Sequence, residues 1–339
     1  MITVDFSSPD FDVRHWLDDQ GTNGVLEDEG RMIIREWLET SSDVQFKTSG
    51  STGIPKEIKY PKEWVKASVN KTSTFFQINS SATVLLCLPS VFVAGKMMWL
   101  RAFIQKWRLL IVEPKALPII PEEQIDFAAF TPLQAEQLLH HDRRAFERIH
   151  KAIIGGGILN LTLANRLADL PTVFYATYGM TETLTHIAAA RIEKNVDELI
   201  YTAFEGVELY TDQSGLLRIH VSHFDNLILD TNDIVTKRDE RRFVFVGRAD
   251  RIINSGGKKI NPEVLEARLE GKISLPFYFC GKTDESLGDA LVMMVEGKSE
   301  DSLTSLFEEW PRLERPKEIY FKEKFRYTLT GKMIKKYFE

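Results

Sequence analysis

From Val65 to Ala176 the chain alternates between helical and strand periodicity, and this alternation limits the possible folds more than any other feature. Val65, Ser68, Val69, Thr72, Phe75 and Phe76 recur at helical spacing behind Pro61, which suits a first helical turn. The apolar run 83–88 predicts a buried strand, followed by a helix over about 94–107 and a strand at 109–113. A strand at 127–131 and a helix around 133–140 come next. The strand 152–154 ends in Gly155, Gly156 and Gly157, and a helix over about 161–168 leads to a strand at 172–176. The pattern predicts an α/β fold with a largely parallel sheet, in which ligands collect in loops at the carboxyl ends of strands.

After His186 the signals become short β runs separated by turn residues: 186–192, 206–210, a turn at 212–215, 216–221 and 242–246. They predict an antiparallel, β-rich subdomain attached to the sheet. Beyond Asp250 a Gly256-Gly257 turn precedes a helix opened by Pro262 and running to about Glu270. Strands near 277–280 and 290–295, a helix over 302–310 stopped by Pro311, and a last strand at 318–321 complete a small α+β domain of about 90 residues. The boundary falls near 247–250, dividing the chain into 1–247 and 248–339. A length of 339 residues fits two domains of roughly 150 residues each.

Composition removes several classes of function. The most apolar region, 82–104, is broken by Pro89, Ser90, Lys96 and Arg101, so no membrane span is expected. The first residues carry Asp5, Asp10 and Asp12 and lack the basic start and apolar run of a secretory signal, which points to a cytoplasmic protein. Cys87 and Cys280 each sit in an apolar run and read as buried thiols rather than a disulfide or zinc framework. A net charge of −6 argues against nucleic acid as a partner.

The strongest local signal is Thr48-Ser49-Gly50-Ser51-Thr52-Gly53-Ile54-Pro55-Lys56. Two glycines allow a tight turn that offers backbone N–H groups, four hydroxyls add donors, and Lys56 adds positive charge, so the loop can wrap a polyphosphate. It is not a Walker A loop, because Pro55 stands where that motif has glycine. In isolation the loop reads equally well as a flexible Ser/Gly linker.

The loop resembles the phosphate loop of the adenylate-forming superfamily of acyl- and aryl-CoA ligases, luciferases and peptide-synthetase adenylation domains. Other motifs of that superfamily follow in order. Gly155-Gly156-Gly157 resembles the glycine turn against adenine, and Tyr178-Gly179-Met180-Thr181-Glu182 resembles the aromatic-Gly-x-Thr-Glu motif. Asp230-Thr231-Asn232-Asp233 resembles the Thr-Gly-Asp segment. Gly247-Arg248-Ala249-Asp250, with Ser255-Gly256-Gly257 and Pro262-Glu263, resembles the hinge motif, and Thr330-Gly331-Lys332 the C-terminal lysine motif. The resemblance implies an adenylate-forming fold, shortened at its N-terminus, with a mobile C-terminal domain. It also implies ATP, Mg²⁺ and a carboxylate as ligands and CoA as co-substrate.

By the same resemblance, Glu182 is the Mg²⁺ ligand, Thr181 donates to the α-phosphate, and Tyr178 offers its face to adenine. Asp233 accepts from the ribose hydroxyls, as an ionised carboxylate can. Arg248 and Lys332 supply cations, with Lys332 bridging the attacking carboxylate and the α-phosphate. Asp250 marks the hinge, and Gly256 and Gly257 leave room for a pantetheine arm. Without the motifs, Tyr178 reads as a core aromatic, Glu182 as a helix-capping acid, Asp233 as an exposed turn acid and Lys332 as a solvated charge.

The departures narrow the reading. Asn232 replaces a glycine, and asparagine tolerates positive φ, so a turn there is still expected. Phe92 stands in Pro89-Ser90-Val91-Phe92-Val93-Ala94-Gly95 where a histidine is common. The early phosphate loop, Ala94-Gly95-Lys96-Met97-Met98 and the stretch 179–188 resemble the short o-succinylbenzoate–CoA ligases of menaquinone biosynthesis. An aryl dicarboxylate needs a flat apolar slot and a remote cation or donors, for which Arg101, Lys96, His186 and Arg191 are available. Another aryl or acyl carboxylate, a carrier-protein thiol as acceptor, and a non-catalytic nucleotide-binding role remain alternatives.

Overall fold

The structure is a computed structural model and describes residues 1–19, 24–47, 57–269, 272–273, 275–298, 303–327, 333–335 and 337–338. The chain opens with β1 (Ile2–Asp5), α1 (Val13–Asp18) and α2 (Val25–Leu38), then a hairpin of β2 (Asp43–Lys47) and β3 (Glu57–Pro61). The α/β section follows as α3 (Lys62–Phe76), β4 (Thr83–Leu86), α4 (Val93–Gln105), β5 (Arg108–Ile111), β6 (Ile125–Phe130), α5 (Pro132–His141), β7 (Ile149–Ile154), α6 (Leu161–Ala168) and β8 (Val173–Gly179). Next come β9 (His186–Arg191), β10 (Ile200–Ala203), β11 (Val207–Thr211), β12 (Leu216–Val221), β13 (Leu227–Lys237) and β14 (Arg242–Arg248). The last section holds β15 (Ile253–Ser255), β16 (Lys258–Ile260), α7 (Pro262–Leu269), β17 (Phe277–Asp284), β18 (Gly288–Glu296) and β19 (Glu318–Lys322).

Twelve strands form one sheet in the order β1-β5-β4-β6-β7-β8-β9-β10-β14-β13-β12-β11. The five strands from β5 to β8 are parallel, and the rest join antiparallel, so the expected β-rich region continues the same sheet. The parallel strands read as apolar runs because both faces are covered. Val84 and Leu86 face a core shared with α2, α3 and α4, whereas Leu85 and Cys87 face a second core closed by α5 and α6. A five-stranded sheet of β15 to β19 carries separate cores around Leu265, Phe279, Met293 and Phe307 and around Tyr278, Val292 and Phe325.

Two local expectations are corrected. Where a helix over 302–310 is expected, the described residues from Leu303 form a short 3-10 turn, Thr304–Phe307, in which N–H groups bond three residues back, Leu306 to Leu303 and Trp310 to Phe307; Arg315 satisfies the Glu308 and Trp310 carbonyls. Asn232 lies within the extended strand β13 rather than in a positive-φ turn. The Thr231 hydroxyl donates to the Leu217 carbonyl at 2.7 Å and accepts from Asp233 N–H at 3.1 Å, next to a register shift in the β12–β13 pairing, so no left-handed residue is required.

Candidate functional site

In chain order the parallel strands are arranged 2-1-3-4-5, so connections leave in opposite directions at β4 and β6 and open a crevice at their carboxyl ends. The loops there are tied together. Thr131 caps α5, and Gln134 of that helix reaches back to the Cys87 carbonyl at 2.9 Å. Gly155 N–H donates to the Phe130 carbonyl at 3.0 Å, which sets the glycine turn beside α5; Gly156 has φ +78° and Gly157 packs near Pro132. A parallel bridge between Lys47 and Phe92 brings the end of β2, the last described residue before 48–56, to the β4–α4 loop.

The turn after β8 is tightly specified. A Cβ on Gly179 would lie 2.4 Å from the Thr185 carbonyl oxygen, so only glycine allows the chain to double back here. Thr181–Thr183 form a 3-10 turn, and the buried Thr183 hydroxyl accepts from Met180 N–H at 3.1 Å and faces the carbonyls of Met180 and Thr185 at 3.0 and 2.8 Å. Leu184 then adopts φ 62° and ψ −49°, and Thr185 N–H bonds the Thr183 carbonyl, a γ-turn geometry that is strained for a β-carbon-bearing residue. Glu182 projects from this turn, exposed, with no hydrogen bond or ion pair among the described residues. A lone exposed carboxylate suits Mg²⁺, which keeps waters and substrate phosphates in most of its octahedral shell.

A chain of polar contacts runs from β8 to the segment after β14. The Tyr178 hydroxyl donates to Asp233 Oδ2 at 2.6 Å, and the Tyr178 ring meets Phe243 edge-on at 5.1 Å. Register pairs Asp233 with Arg248 across β13 and β14, and Arg248 Nη1 stands 3.5 Å from Asp233 Oδ1. Arg248 also grips Asp250 with two donors, at 3.0 and 2.8 Å, a fork that fixes its plane. Burial and the Asp233 charge push the Tyr178 phenol far up, and the Arg248 fork holds the Asp250 carboxyl below its usual range. Tyr178, Asp233, Arg248 and Asp250 are therefore brought together.

Of the four cations or donors available for a second carboxylate, one is paired elsewhere and one is exposed. Lys96 bonds Glu36 Oε2 at 2.5 Å and the Gln45 carbonyl at 2.6 Å, and Arg191 is exposed at the far end of β9. His186 lies between Phe76 and Phe204, with Nε2 3.0 Å from the Thr72 hydroxyl. Since that hydroxyl already donates to the Ser68 carbonyl, the imidazole donates from Nε2; burial and the nearby Arg101 hold its pKa well below 6.5. Arg101 is different. It is 3% exposed, bonds the Thr185 hydroxyl at 3.0 Å, and has a buried Nε with no partner and no carboxylate pairing among the described residues.

Gly256 and Gly257, with φ of +56° and +80°, form the two-residue turn of the β15–β16 hairpin, a turn type that glycine favours at both positions. A Cβ on Gly256 would meet Leu287 and Leu313, so this turn packs within the small domain, while the space beside Gly257 is open. Thr48, Ser49, Gly50, Ser51, Thr52, Gly53 and Lys56, and likewise Lys332, lie outside the described residues. Sequence reasoning missed Tyr60 and Thr183, which hold the Thr181–Glu182 turn. A lone tyrosine after a loop carries no local signal, and a threonine next to a motif is too common to stand out.

Residues 44–210 match the family model described as AMP-binding enzyme. The chain is 24% identical over 328 residues to 2-succinylbenzoate–CoA ligase of Staphylococcus aureus (strain Newman), covering 87% of this chain and 66% of that protein. It thus spans about two thirds of the length of that curated relative. Among solved structures, an acyl-CoA synthetase (AMP-forming)/AMP-acid ligase II-like protein from Dyadobacter fermentans superposes with a TM-score of 0.64 at 29% identity, covering 93% of this chain and 94% of that one. Residues 44–210 thus carry an AMP-binding enzyme domain, and the large mixed sheet with its small C-terminal domain matches the fold of adenylate-forming enzymes. Among such enzymes it is similar to the o-succinylbenzoate–CoA ligases. The synthetase of that name from Bacillus subtilis, solved with ATP and magnesium ion, gives a TM-score of 0.73 at 17% identity over 87% of this chain and 70% of its own.

Proposed function

We propose that the protein is an AMP-forming acid–thiol ligase that joins an aryl dicarboxylate of the o-succinylbenzoate type to CoA. The observation that carries the reading is the contact chain Tyr178–Asp233–Arg248–Asp250, which links the end of β8 to the hinge motif beside the exposed Glu182. In the first step the substrate carboxylate attacks the α-phosphate of ATP and displaces pyrophosphate, giving acyl-AMP. In the second the CoA thiolate attacks the acyl carbon and displaces AMP. The difficulty of the first step is bringing two anions together and stabilising charge on the phosphoryl oxygens.

Thr181 donates to the α-phosphate, and Asp233 exchanges its present partners for ribose hydroxyls. Glu182 would hold Mg²⁺, which neutralises phosphate charge when bound. Lys332, by resemblance, bridges the two reacting anions in the first step, and the small domain then swings about Asp250 to admit CoA past Gly256 and Gly257. The phosphate loop, Thr48 to Lys56, holds the leaving pyrophosphate. Arg101, buried and uncompensated, supports a substrate with a second carboxylate, because an incoming anion would supply the charge partner it lacks. The resemblance to the ligases of menaquinone biosynthesis supports a role in that pathway, in the cytoplasm.

The test is pyrophosphate release with ATP, Mg²⁺ and o-succinylbenzoate, with and without CoA, beside benzoate, medium-chain fatty acids and amino acids. CoA-dependent turnover selective for o-succinylbenzoate is expected. Turnover with another acid alone would retain the ligase and discard the substrate, and ATP binding without turnover on any acid would overturn the catalytic reading. Lys332→Ala should abolish acyl-AMP formation and largely spare thioester formation from supplied acyl-AMP.

A further inference from the structure

We propose that Tyr60 is a positioning residue that locks the β2–β3 hairpin onto the Thr181–Glu182 turn and thereby sets where the Glu182 carboxylate stands. This deepens the reading of Glu182 as the Mg²⁺ ligand and rests on it. Tyr60 is the penultimate residue of β3, the strand that leaves the 48–56 loop. Its ring is 5% exposed and held by aromatic neighbours, Phe46 at 5.8 Å edge-on and Trp64 at 6.0 Å, and Trp64 is itself stacked on Phe224 at 4.8 Å. From this fixed ring the hydroxyl donates to the Thr181 carbonyl, 121 residues away in sequence.

That carbonyl is the hinge point of the turn. It also accepts from Leu184 N–H at 2.8 Å, so the peptide joining Thr181 to Glu182 is held once from inside the turn and once from across the site. The inside bond belongs to a segment carrying a strained residue, Leu184, and strained segments persist only where their surroundings over-determine them. Glu182 makes no side-chain bond of its own among the described residues, so its direction depends on this peptide. The phenol remains a donor at working pH, because burial and then the Glu182 charge push its pKa up to about 12. The β2–β3 hairpin is thus mechanically joined to the turn that carries Glu182.

Tyr60→Phe keeps the packed ring and removes only the donor. In the full chain, ATP binding is measured by calorimetry with and without Mg²⁺, together with the two half-reactions. One lost hydrogen bond predicts about a fivefold loss of Mg²⁺-dependent ATP affinity and a matching rise in the Mg²⁺ needed for pyrophosphate release. Thioester formation from supplied acyl-AMP should stay near wild type. In a Glu182→Gln background the same substitution should add no further Mg²⁺ effect. Unchanged Mg²⁺ dependence, an equal loss with and without Mg²⁺, or additive effects in the double variant would each overturn the proposal. If the wild type activates no acid, the ligase reading fails, and the calorimetry still decides the role of Tyr60.

Discussion

Replacing Arg101 by methionine should make the protein more stable and less selective, a combination that follows from its surroundings. Methionine retains the unbranched stem and removes the charge. Burial pulls the Arg101 pKa from 12.5 to about 10, and at roughly 1.4 kcal/mol per unit that desolvation amounts to about 3 kcal/mol. No screening discount applies to a side chain only 3% exposed. Against this stands the bond to Thr185, worth about 1 kcal/mol. The net expectation is a gain of about 2 kcal/mol, or roughly 4–8 °C in the melting of the large domain. In the ligase assay, KM for an aryl dicarboxylate should rise about 10- to 100-fold, the range of a charge-assisted bond lost from a buried site, while the analogue lacking the second carboxylate is little affected. Melting is followed by calorimetry without substrate. A fall of several degrees would show that the guanidinium is already compensated, and equal KM changes for both acids would remove it from substrate recognition.

Tyr178→Phe leaves a buried Asp233 oxygen without its donor and should destabilise the ATP-free large domain by about 1.5–3 kcal/mol, read from urea unfolding, while ATP affinity holds or rises because Asp233 no longer gives up that donor for the ribose hydroxyls. Gly179→Ala forces a Cβ against the Thr185 carbonyl oxygen and should lower stability by more than about 1 kcal/mol while reducing activity. His186 gives a pH prediction. Its folded pKa lies well below the ordinary 6.5, so below pH 6.5 the unfolded chain takes up a proton that the folded chain refuses. Stability should therefore be fully present above pH 6.5 and fall by up to about 1.4 kcal/mol per unit below it, and His186→Gln should flatten that slope in unfolding measured from pH 7.5 to 5.

The sequence was most readable where burial is two-sided. The runs in β4 to β8 stand out because helices cover both faces, and their glycine ends locate the crevice. β13 was invisible as a strand because its apolar residues, Leu227 to Leu229 and Ile234–Val235, are separated by Asp230-Thr231-Asn232-Asp233, a polar run that reads as a turn. α2 carries an apolar face and Gly30 lets it sit on Trp99, yet its contribution depends on a partner helix distant in sequence. The motif residues were legible through resemblance, but their mutual bonds were not: Tyr178 and Asp233 are 55 residues apart, and nothing local indicates that one holds the other. The uncompensated state of Arg101, likewise, exists only once α4 is packed against the turn after β8.

The separateness of the hydrophobic cores has an optical consequence. Among the described residues, the clusters around Val84 and around Leu85 draw on residues 2–245, and the clusters around Phe279 and around Val292 on residues 253–338. Five of the six tryptophans precede residue 110, and Trp310 alone belongs to the small domain, where it packs on Phe307 at 5.3 Å under the Arg268 guanidinium. A chain in which the other five are replaced by phenylalanine would emit from one known place. Its fluorescence would follow the loosening or docking of the small domain in real time, without an attached dye.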